Sequence, residues 1–548
     1  MNTHPMVNTW RQSFPFFSQS QMPYLYFDNA ATSQKPQVVI DAISDFYRYS
    51  NGNVHRSMNR LAQQATHAFE AVRGQVAAFI NAPDAKHIVF TKGTTESINM
   101  VAQGFVLPQL QAGDEILVSG QEHHANLLPW IRITQQTGAR LVVVPPTEDL
   151  CFDLEAFKSK LHSKTRFIAL THISNALGIE TPIKDCIKMA KRLHIPILVD
   201  GAQAALHRQL DVCALDCDFY VFSAHKCLGP TGVGVLYGKA ERLEQTSPWL
   251  VGGEMVAHAS YDTFTAREAP QKLEAGTPNI AGVMGFGAAL RYLESASRTQ
   301  MWAYEAELTH YLKQSLSSYP HIKVLTHQQH NHGIVSVQLL KHHLSDAAEY
   351  LSAKGIVVRT GHHCAQPLMK YLGIDGTLRF SLAFYNQKEE VDRVVESLGD
   401  FLNASTHSHA APLQATPVVA ELLKSLASSR YREQQLSILN RLAKSMDSVL
   451  QRETAIKVEE CESQVWVQLV IDQEHGTDLI IDSEARVIKG IGKVLSHHVQ
   501  GLSATALLEY DFEALLNHYH LQRYLTPSRV NGLLAVIRTI QQQTRRYL

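Results

Sequence analysis

The segment RTGHHCAQP, from Arg359 to Pro367, places a cysteine directly after two histidines and close to an arginine. Histidine nitrogen and cysteine thiolate are both zinc ligands, so the segment could form part of a metal site. The thiolate is also a nucleophile, and a nearby cation from Arg359, or from a protonated His362 or His363, would stabilise it. Adjacent residues of an extended loop diverge and no further ligand motif lies nearby, which favours a nucleophilic Cys364 and predicts no metal.

A lysine and an aspartate form a second set suited to chemistry. The run ILVDGAQ contains Asp200 at its end, and DFYVFSAHK carries Ser223, His225 and Lys226 ahead of another apolar run. Ligands of α/β folds collect at the carboxyl ends of parallel strands, and a carboxylate buried there needs a cationic partner. Asp200 and Lys226 could therefore form a structural ion pair, or Lys226 could be kept for a reaction.

A third feature is the Gly-Thr-Thr turn in HIVFTKGTTESINMVAQGF, which predicts a strand followed by an amphipathic helix. Free N–H groups at the helix start, together with the hydroxyls of Thr94 and Thr95, suit an anion such as phosphate. The same turn could serve only as a helix cap.

These features match the needs of one cofactor. Pyridoxal phosphate requires a lysine amine, a carboxylate at its pyridine nitrogen, an aromatic group against its ring and donors for its phosphate. Lys226, Asp200 and His123 of QEHHANLLPW could supply the first three. The phosphate donors would be Thr94, Thr95, Ser223 and His225. Taken together, these residues predict a pyridoxal phosphate site.

The elements that must position these residues are short β-branched runs alternating with helical patterns. The predicted strands lie in HIVFT, DEILVSG, RLVVVPP, RFIALTHIS, IPILVDGAQ, DFYVFSAHK and GVGVLYG. Such alternation indicates an α/β fold with a mostly parallel sheet covered by helices on both faces. A smaller α+β lobe follows from about Trp302 to Leu402, with strands in HGIVSVQL, GIVVRTG and TLRFSLAFY.

Composition limits the classes of partner. The chain has 50 Lys+Arg against 51 Asp+Glu, so its charge indicates neither nucleic acid nor a membrane as a partner. The N-terminal residues lack a secretion signal, and no run of about 18 apolar residues occurs. Seven cysteines in 548 residues are an odd, sparse set without a disulfide pattern. We therefore expect a soluble cytoplasmic protein with free thiols.

The quoted segments together closely resemble the cysteine desulfurases of the SufS/CsdA type, which have the class V aminotransferase fold. The resemblance covers roughly Tyr24 to Phe401 and also includes YFDNAAT, GNVHRS, EAGTPN and RTGHHCAQPL. It implies a PLP-dependent transferase of fold type I, with a large domain at about 24–300 and a small lobe at 301–402.

The resemblance also implies roles for single residues. Lys226 would form the Schiff base with pyridoxal phosphate, Asp200 would contact the pyridine nitrogen, Gln203 would lie near the phenolic oxygen, and His123 would stack on the ring. The family's phosphate ligands correspond to Thr95, Ser223, His225 and, from a second subunit, Thr277. Sharing of Thr277 implies a homodimer. Ala224 stands where the family pattern has glycine.

Substrate binding and chemistry follow from the same resemblance. Asn175, Arg359 and Arg379 would hold the α-carboxylate of L-cysteine, a task that suits the arginine fork. Cys364 would attack the substrate sulfur and keep it as a persulfide while alanine is released, with Lys226 and His123 handling protons. Selenocysteine lyase activity, or a kynureninase-like cleavage, is an alternative that does not require Cys364.

A second cysteine of interest lies beyond the polar segment NASTHSHAAPLQATP, residues 403–417, which we interpret as a linker. The sequence VEECESQVWV carries Cys461, which could be an ordinary packing residue or a reactive thiol at an exposed turn. Together with DSEARVIKGI and LQRYLTPSRVNGLLAVIRTI, it resembles the SufE/CsdE sulfur acceptors. Glu460 stands where glycine commonly precedes the acceptor cysteine.

The expected chain is thus a fusion, with a desulfurase at 1–402, the linker, and an acceptor at 418–548. Sulfur would pass from Cys364 to Cys461 and then to a downstream scaffold or carrier protein for iron–sulfur clusters or other thio-cofactors. Alternatively, the C-terminal domain could serve only to dock such a scaffold.

Overall fold

A computed structural model describes residues 5–18, 24–55, 58–326, 331–404, 415–429, 432–444, 455–458, 464–472, 476–519, 521 and 527–548. The chain divides into two compact units. Unit 1 comprises residues 1–340 and 354–397, and unit 2 comprises residues 341–353 and 398–548.

The strands are numbered in chain order. They are β1 (Leu25–Tyr26), β2 (Ile88–Thr91), β3 (Glu115–Ser119), β4 (Arg140–Val144), β5 (Thr165–Thr171), β6 (Ile197–Asp200), β7 (Phe219–Ser223), β8 (Gly234–Gly238), β9 (Val256–Ala259), β10 (Phe264–Ala266), β11 (Ile322–Val324), β12 (Ile334–Leu339), β13 (Ile356–Val357), β14 (Arg359–Gly361), β15 (Thr377–Ser381), β16 (Ile456–Lys457), β17 (Val465–Asp472) and β18 (Gly476–Ser483).

The α-helices follow the same numbering. They are α1 (Pro5–Gln12), α2 (Pro15–Ser18), α3 (Gln37–Tyr49), α4 (Arg60–Phe79), α5 (Thr94–Val101), α6 (Leu128–Thr137), α7 (Leu154–Ser159), α8 (Ile183–Arg192), α9 (Ala204–His207), α10 (Val212–Leu215), α11 (Ala240–Gln245), α12 (Ile280–Ser295), α13 (Arg298–Ser317), α14 (Leu344–Ala353), α15 (Gln366–Leu372), α16 (Lys388–Ala404), α17 (Ala415–Ser428), α18 (Arg432–Lys444), α19 (Arg486–Val499), α20 (Ala504–Leu508), α21 (Phe512–His518) and α22 (Pro527–Thr544).

The centre of unit 1 is a seven-stranded sheet in the order β2-β8-β7-β6-β5-β3-β4. All neighbours from β7 to β4 are parallel, and β8 is antiparallel to both β7 and β2. Every residue of β6 and β7 is buried, because a parallel sheet packs helices on both faces. The seven predicted strands are confirmed, and the carboxyl ends of β3, β5, β6 and β7 meet at one edge.

The small lobe of unit 1 is a four-stranded antiparallel sheet in the order β11-β12-β15-β14. The sequence predicts a single strand in GIVVRTG, and the structure corrects this. β13 pairs in parallel with β1 near the N-terminus, whereas β14 pairs with β15. The segment GIVVRTG therefore contributes one strand to each of two sheets. β14 contains Arg359 and leads directly into the loop that carries Cys364.

Unit 2 has its own apolar core, formed by helices packed against the β17–β18 hairpin. The segments VWVQLVID and GTDLIIDS are rich in β-branched residues, which favour strands, and they form the predicted strands β17 and β18. Along β18, buried residues alternate with less buried ones, which is typical of a strand with one buried face. α14 belongs to this unit, and its Tyr350 packs on Phe401 with ring centroids 5.5 Å apart. The ring of His342, which precedes the helix, also packs on Phe401, with centroids 5.2 Å apart. On the same helix, Asp346 Oδ2 lies 3.9 Å from Arg486 Nε.

Two predicted features fall partly or wholly outside this description. Cys461 and Glu460 lie in the segment 459–463, outside the described residues. The predicted linker includes the last two residues of α16 and the first three of α17, and its remaining residues, 405–414, are also outside them. Across the described helices, none has the length and apolar character needed to span a membrane.

Candidate active site

A cavity of about 220 Å³ opens at the carboxyl edge of the seven-stranded sheet. It is lined by strand ends, by the start of α5 and by the loop after β14. Most of the predicted site residues lie around it: Thr94, Thr95, His123, Asn175, Asp200, Gln203, Ser223, His225, Lys226, Arg359, Cys364 and Arg379. Thr277 is exposed and is not part of this lining.

Lys226 and Asp200 share this cavity. Burial lowers the pKa of the Lys226 ammonium to about 8, and the negative charge of Asp200 limits the decrease. Burial also raises the pKa of Asp200, although the Ala202 N–H donates to its Oδ1 at 2.9 Å. Within the described chain the two side chains form no direct ion pair. The structural ion pair considered above is therefore not formed, and the lysine amine remains available.

The start of α5 and the end of β7 bring hydroxyl groups together. The Thr94 N–H donates to Ser223 Oγ at 2.8 Å, and the two side-chain oxygens lie 2.7 Å apart. This cluster at a helix N-terminus suits the binding of an anion. Ala224, which departs from the family pattern, is fully buried and does not have a positive φ, so its backbone does not require glycine.

A group of residues that no local sequence pattern marks holds the turn before Lys226. The carbonyl oxygen of His225 accepts hydrogen bonds from the Thr32 hydroxyl at 3.0 Å, from the N–H and hydroxyl of Ser33 at 3.0 and 3.1 Å, and from Lys35 Nζ at 2.9 Å. Burial lowers the pKa of Lys35 to about 8. The segment 32–35 therefore fixes the peptide group that joins His225 to Lys226.

Replacing Lys35 by methionine should separate activity from stability. The variant removes one of the four donors on the His225 carbonyl, so we expect activity to fall by about threefold to tenfold. In the folded parent the pKa of Lys35 is about 8, whereas in the unfolded chain it has its ordinary value of 10.5. The contribution of Lys35 to the stability of the parent should therefore rise with pH across that window. Because the lowered pKa of Lys226 acts in the same direction, the measured quantity is a difference: in thermal unfolding from pH 7 to 10, the stability of the exposed control Lys86→Met relative to that of Lys35→Met should increase with pH.

His123 lies at the start of the short helical turn after β3. Burial, reinforced by the positive charge of Lys226, lowers the pKa of His123 to about 3. Its Nδ1 accepts a hydrogen bond from the Ala125 N–H at 3.0 Å. The ring is therefore neutral at physiological pH, with its proton on Nε2. The Nε2–H group can therefore donate a hydrogen bond to a bound molecule. Nε2 cannot accept a second proton while it carries this one.

Glu122, next to His123, is a second residue that sequence analysis missed. Its Oε1 accepts from the Ser119 hydroxyl at 2.6 Å and from the Thr171 N–H at 2.8 Å. Its Oε2 accepts from Asn126 Nδ2 at 2.6 Å. Burial raises the pKa of Glu122 to about 8 despite these donors. The side chain thus ties the ends of β3 and β5 together and holds the backbone that carries His123.

The two predicted substrate arginines share a carboxylate that was also missed. Arg379 Nη2 donates to Asp28 Oδ1 at 2.8 Å, and Arg359 Nη1 lies 3.7 Å from Asp28 Oδ2. Arg379 Nη1 donates to the Asn175 carbonyl at 3.0 Å. Its Nε is buried and has no hydrogen-bond partner in the described part of the chain. This orphaned donor is available to a bound carboxylate.

Cys364 has an exposed residue surface and lines the cavity. One of the cations expected beside it is absent. Burial and the nearby arginines hold the pKa of His363 well below its usual range, so its ring is neutral. The same ring lies against Thr377, with 2.8 Å between Nε2 and Oγ1. The prediction that a protonated His363 stabilises the thiolate is therefore wrong. Arg359, another of the predicted cations, does line the cavity.

Comparison with known proteins agrees with this geometry. The family model described as aminotransferase class-V matches residues 25–394, and the model described as SufE, Fe-S metabolism associated domain, matches residues 420–544. Proteins named cysteine desulfurase from Escherichia coli O7:K1 and from Shigella flexneri are each 45% identical over 395 residues, which is 72% of this chain and 97% of each relative.

Solved structures give the same result. A crystal structure of the cysteine desulfurase CsdA from Escherichia coli, in an S-sulfonic acid form, is 44% identical and has a TM-score of 0.69 over 73% of this chain and 98% of that chain. An apo structure of a cysteine desulfurase from Thermococcus onnurineus NA1 is 36% identical, with a TM-score of 0.69 over 74% and 99% of the two chains.

The chain belongs to the class V aminotransferase family, which the sheet, the lobe and the lysine–aspartate cavity define. Within that family it is a CsdA/SufS-type cysteine desulfurase, fused to a SufE-like domain. The cofactor is pyridoxal phosphate, and the cavity fits it. An unpaired lysine and a carboxylate line the cavity, hydroxyl and amide groups lie at the start of α5, and the orphaned Arg379 Nε lies among the lining residues.

Proposed function

We propose that the chain converts L-cysteine into L-alanine, holds the released sulfur as a persulfide on Cys364 and passes it to Cys461. The observation that carries this proposal is the placement of the Cys364 residue and Lys226 around one cavity, together with two arginines that suit a carboxylate. The sulfur would then go to a scaffold or carrier for iron–sulfur clusters or other thio-cofactors.

Binding of L-cysteine begins with its carboxylate. Arg379 keeps Nε free while its two terminal nitrogens are held by Asp28 and by the Asn175 carbonyl, so its fork is already oriented. Arg359, which is partly exposed, supplies a second cation. Because the arginines are positioned before substrate arrives, little side-chain entropy is lost on binding.

Bound pyridoxal phosphate supplies an electron sink for the electrons at the substrate Cα. Lys226, with a pKa of about 8, exists partly as a neutral amine near neutral pH and can accept the Cα proton. His123 lines the cavity as a neutral ring with its proton on Nε2, and this N–H group can donate a hydrogen bond to a bound group. Asp200 provides a fixed negative charge, and Thr94, Thr95, Ser223 and His225 bind the phosphate.

Cys364 then carries out the transfer. Its thiolate attacks the substrate sulfur, a sulfur–sulfur bond forms, and the carbon–sulfur bond breaks with its electron pair going to carbon. A proton on that carbon completes L-alanine. In the second step the Cys461 thiolate attacks the outer sulfur, and Cys364 leaves as thiolate. No external oxidant or reductant is needed for either step.

The assembly and domain limits belong to the same proposal. Thr277 is exposed and does not line the cavity of its own chain, which supports its use in the site of a second subunit within a homodimer. The desulfurase would comprise residues 1–402, the linker 403–417 and the acceptor 418–548. The protein would act in the cytoplasm.

The test is to follow 35S from labelled L-cysteine in the full-length protein. We expect reductant-sensitive label on both Cys364 and Cys461, with stoichiometric alanine. In Cys461→Ser the label should remain on Cys364, and turnover without added reductant should fall about tenfold or more. Cys213→Ser, which removes an exposed thiol of unit 1, is the control for the loss of a thiol.

Two outcomes would contradict the proposal. Label on Cys364 but none on Cys461 would make the C-terminal domain a docking module. Failure of the parent protein to release alanine from L-cysteine would instead favour another class V reaction, such as a kynureninase-like cleavage.

A further inference from the structure

The loop that carries Cys364 has an unusual backbone. It leaves β14 at Gly361 and enters α15 at Gln366. His363 and Cys364 both have positive φ, 51° and 55°. The left-handed region is unfavourable for residues with a Cβ atom, and two such residues in succession are rarer still. The surrounding structure must therefore hold this conformation.

Three hydrogen bonds hold the backbone of the loop. The Asn175 side-chain amide donates to the His363 carbonyl at 2.6 Å. The His124 N–H donates to the Cys364 carbonyl at 2.7 Å, and the Ala365 N–H donates to the His362 carbonyl at 2.8 Å. These contacts fix the peptide groups on either side of Cys364, and the His363 side chain adds a further contact to the loop.

The His363 side chain makes this further contact with Thr377. It is 5% exposed, and Nε2 lies 2.8 Å from the Thr377 hydroxyl and 3.2 Å from the Thr377 carbonyl. A carbonyl only accepts, so we assign the proton of the neutral ring to Nε2. Nδ1 is buried and has no hydrogen-bond partner within the described residues. Among the described residues, Thr377 is therefore the only hydrogen-bond partner of the His363 ring.

Thr377 is a suitable anchor point because it is buried within a paired strand. It is fully buried and forms the first residue of β15, opposite Gly361 in the β14–β15 register. The preceding residue is Gly376, where an added Cβ would lie 2.8 Å from the Gly361 Cα. The backbones of the two strands thus meet closely just before the loop begins.

We propose that His363 and Thr377 are positioning residues that hold Cys364 in its left-handed conformation, so that its thiol meets the substrate sulfur. This inference rests on the proposed function. Neither residue takes part in the bond changes; the Cys364 thiolate still makes the sulfur–sulfur bond. The pair affects only the fraction of time for which the Cys364 thiol is correctly placed. Displacing a reacting group by about 1 Å can lower a reaction rate by about a hundredfold.

The test compares Thr377→Val, Thr377→Ser and His363→Asn in the full-length protein. Valine keeps the shape of threonine but lacks the hydroxyl, whereas serine keeps the hydroxyl. Asparagine tolerates the left-handed region, so His363→Asn removes the tether without adding backbone strain. Thr165→Val is the matched control, because it removes another buried threonine hydroxyl, which bonds the Lys160 carbonyl at 3.3 Å.

Two signals are measured in a single turnover with L-cysteine: the change in cofactor absorbance and the appearance of persulfide on Cys364. We expect Thr377→Val to slow persulfide formation about tenfold and His363→Asn about a hundredfold. The absorbance change should keep its rate and its dependence on L-cysteine concentration in both. Thr377→Ser and Thr165→Val should form persulfide within about twofold of the parent rate.

Persulfide formation at the parent rate in both Thr377→Val and His363→Asn would overturn the positioning role. An equal loss of the absorbance change and of persulfide would also overturn it, since the residues would then act in binding. If the parent itself formed no persulfide on Cys364, the proposed function and this inference would fail together. A parent that forms persulfide, beside variants that form it equally fast, would remove the inference alone.

Discussion

Replacing Cys364 by serine is expected to reduce transfer of sulfur from L-cysteine by about a thousandfold or more while leaving the absorbance of the bound cofactor unchanged. A serine hydroxyl stays protonated where a thiol ionises, so the variant lacks the nucleophile. The lysine, the aspartate and the phosphate donors do not change. Alanine release with and without reductant, together with the cofactor spectrum, measures both parts of this expectation.

The structure makes serine a mild replacement at this position. Cys364 is exposed, and its loop is held through backbone carbonyls and through His363 rather than through the sulfur atom. Cys213→Ser controls for the loss of an exposed thiol and should be fully active. Undiminished cleavage by Cys364→Ser would remove Cys364 from the mechanism and would point to a lyase reaction that needs no persulfide.

Replacing Lys226 by arginine should abolish turnover by a comparable factor for a different reason. Arginine keeps a positive charge opposite Asp200, but its guanidinium is not deprotonated in proteins. It can neither bond covalently to the cofactor aldehyde nor accept the Cα proton. Borohydride reduction followed by peptide mapping should find the cofactor mass on the Lys226 peptide of the parent and on no peptide of the variant.

Lys86→Arg, at an exposed lysine, is the control for the substitution itself. Lys35 is the other partly buried lysine beside this turn, and burial lowers its pKa to about 8 as well. Cofactor mass on the Lys35 peptide of the parent would therefore transfer the covalent role to Lys35 and would contradict the assignment to Lys226.

The sheet and most of the cavity lining could be predicted from the sequence for a physical reason. Strands buried on both faces are continuous apolar runs, and polar residues that follow such runs meet at the carboxyl edge. Asp200 and Ser223 are the last residues of β6 and β7, and Lys226 follows within three residues of β7. Their local position is enough to place them together.

Other residues could not be found in this way, because their partners are distant in sequence. Asp28 bonds to Arg379, 351 positions further on, and Lys35 bonds to the His225 carbonyl, 190 positions further on. No local pattern marks such a residue. His363 shows the opposite error: its neighbour in sequence is the nucleophile, but its ring is turned toward Thr377 and is buried near two arginines, which prevents protonation.

The contact of Asp28 with both arginines has a consequence for substrate choice. Two guanidinium groups and one carboxylate leave a single positive charge at that end of the cavity. One amino acid carboxylate balances it, and a second carboxylate, as in aspartate or glutamate, would leave an excess negative charge in a confined space. Because Asp28 reduces the net charge of the two arginines to a single positive charge, we expect this end of the cavity to favour amino acids with one carboxylate over those with two.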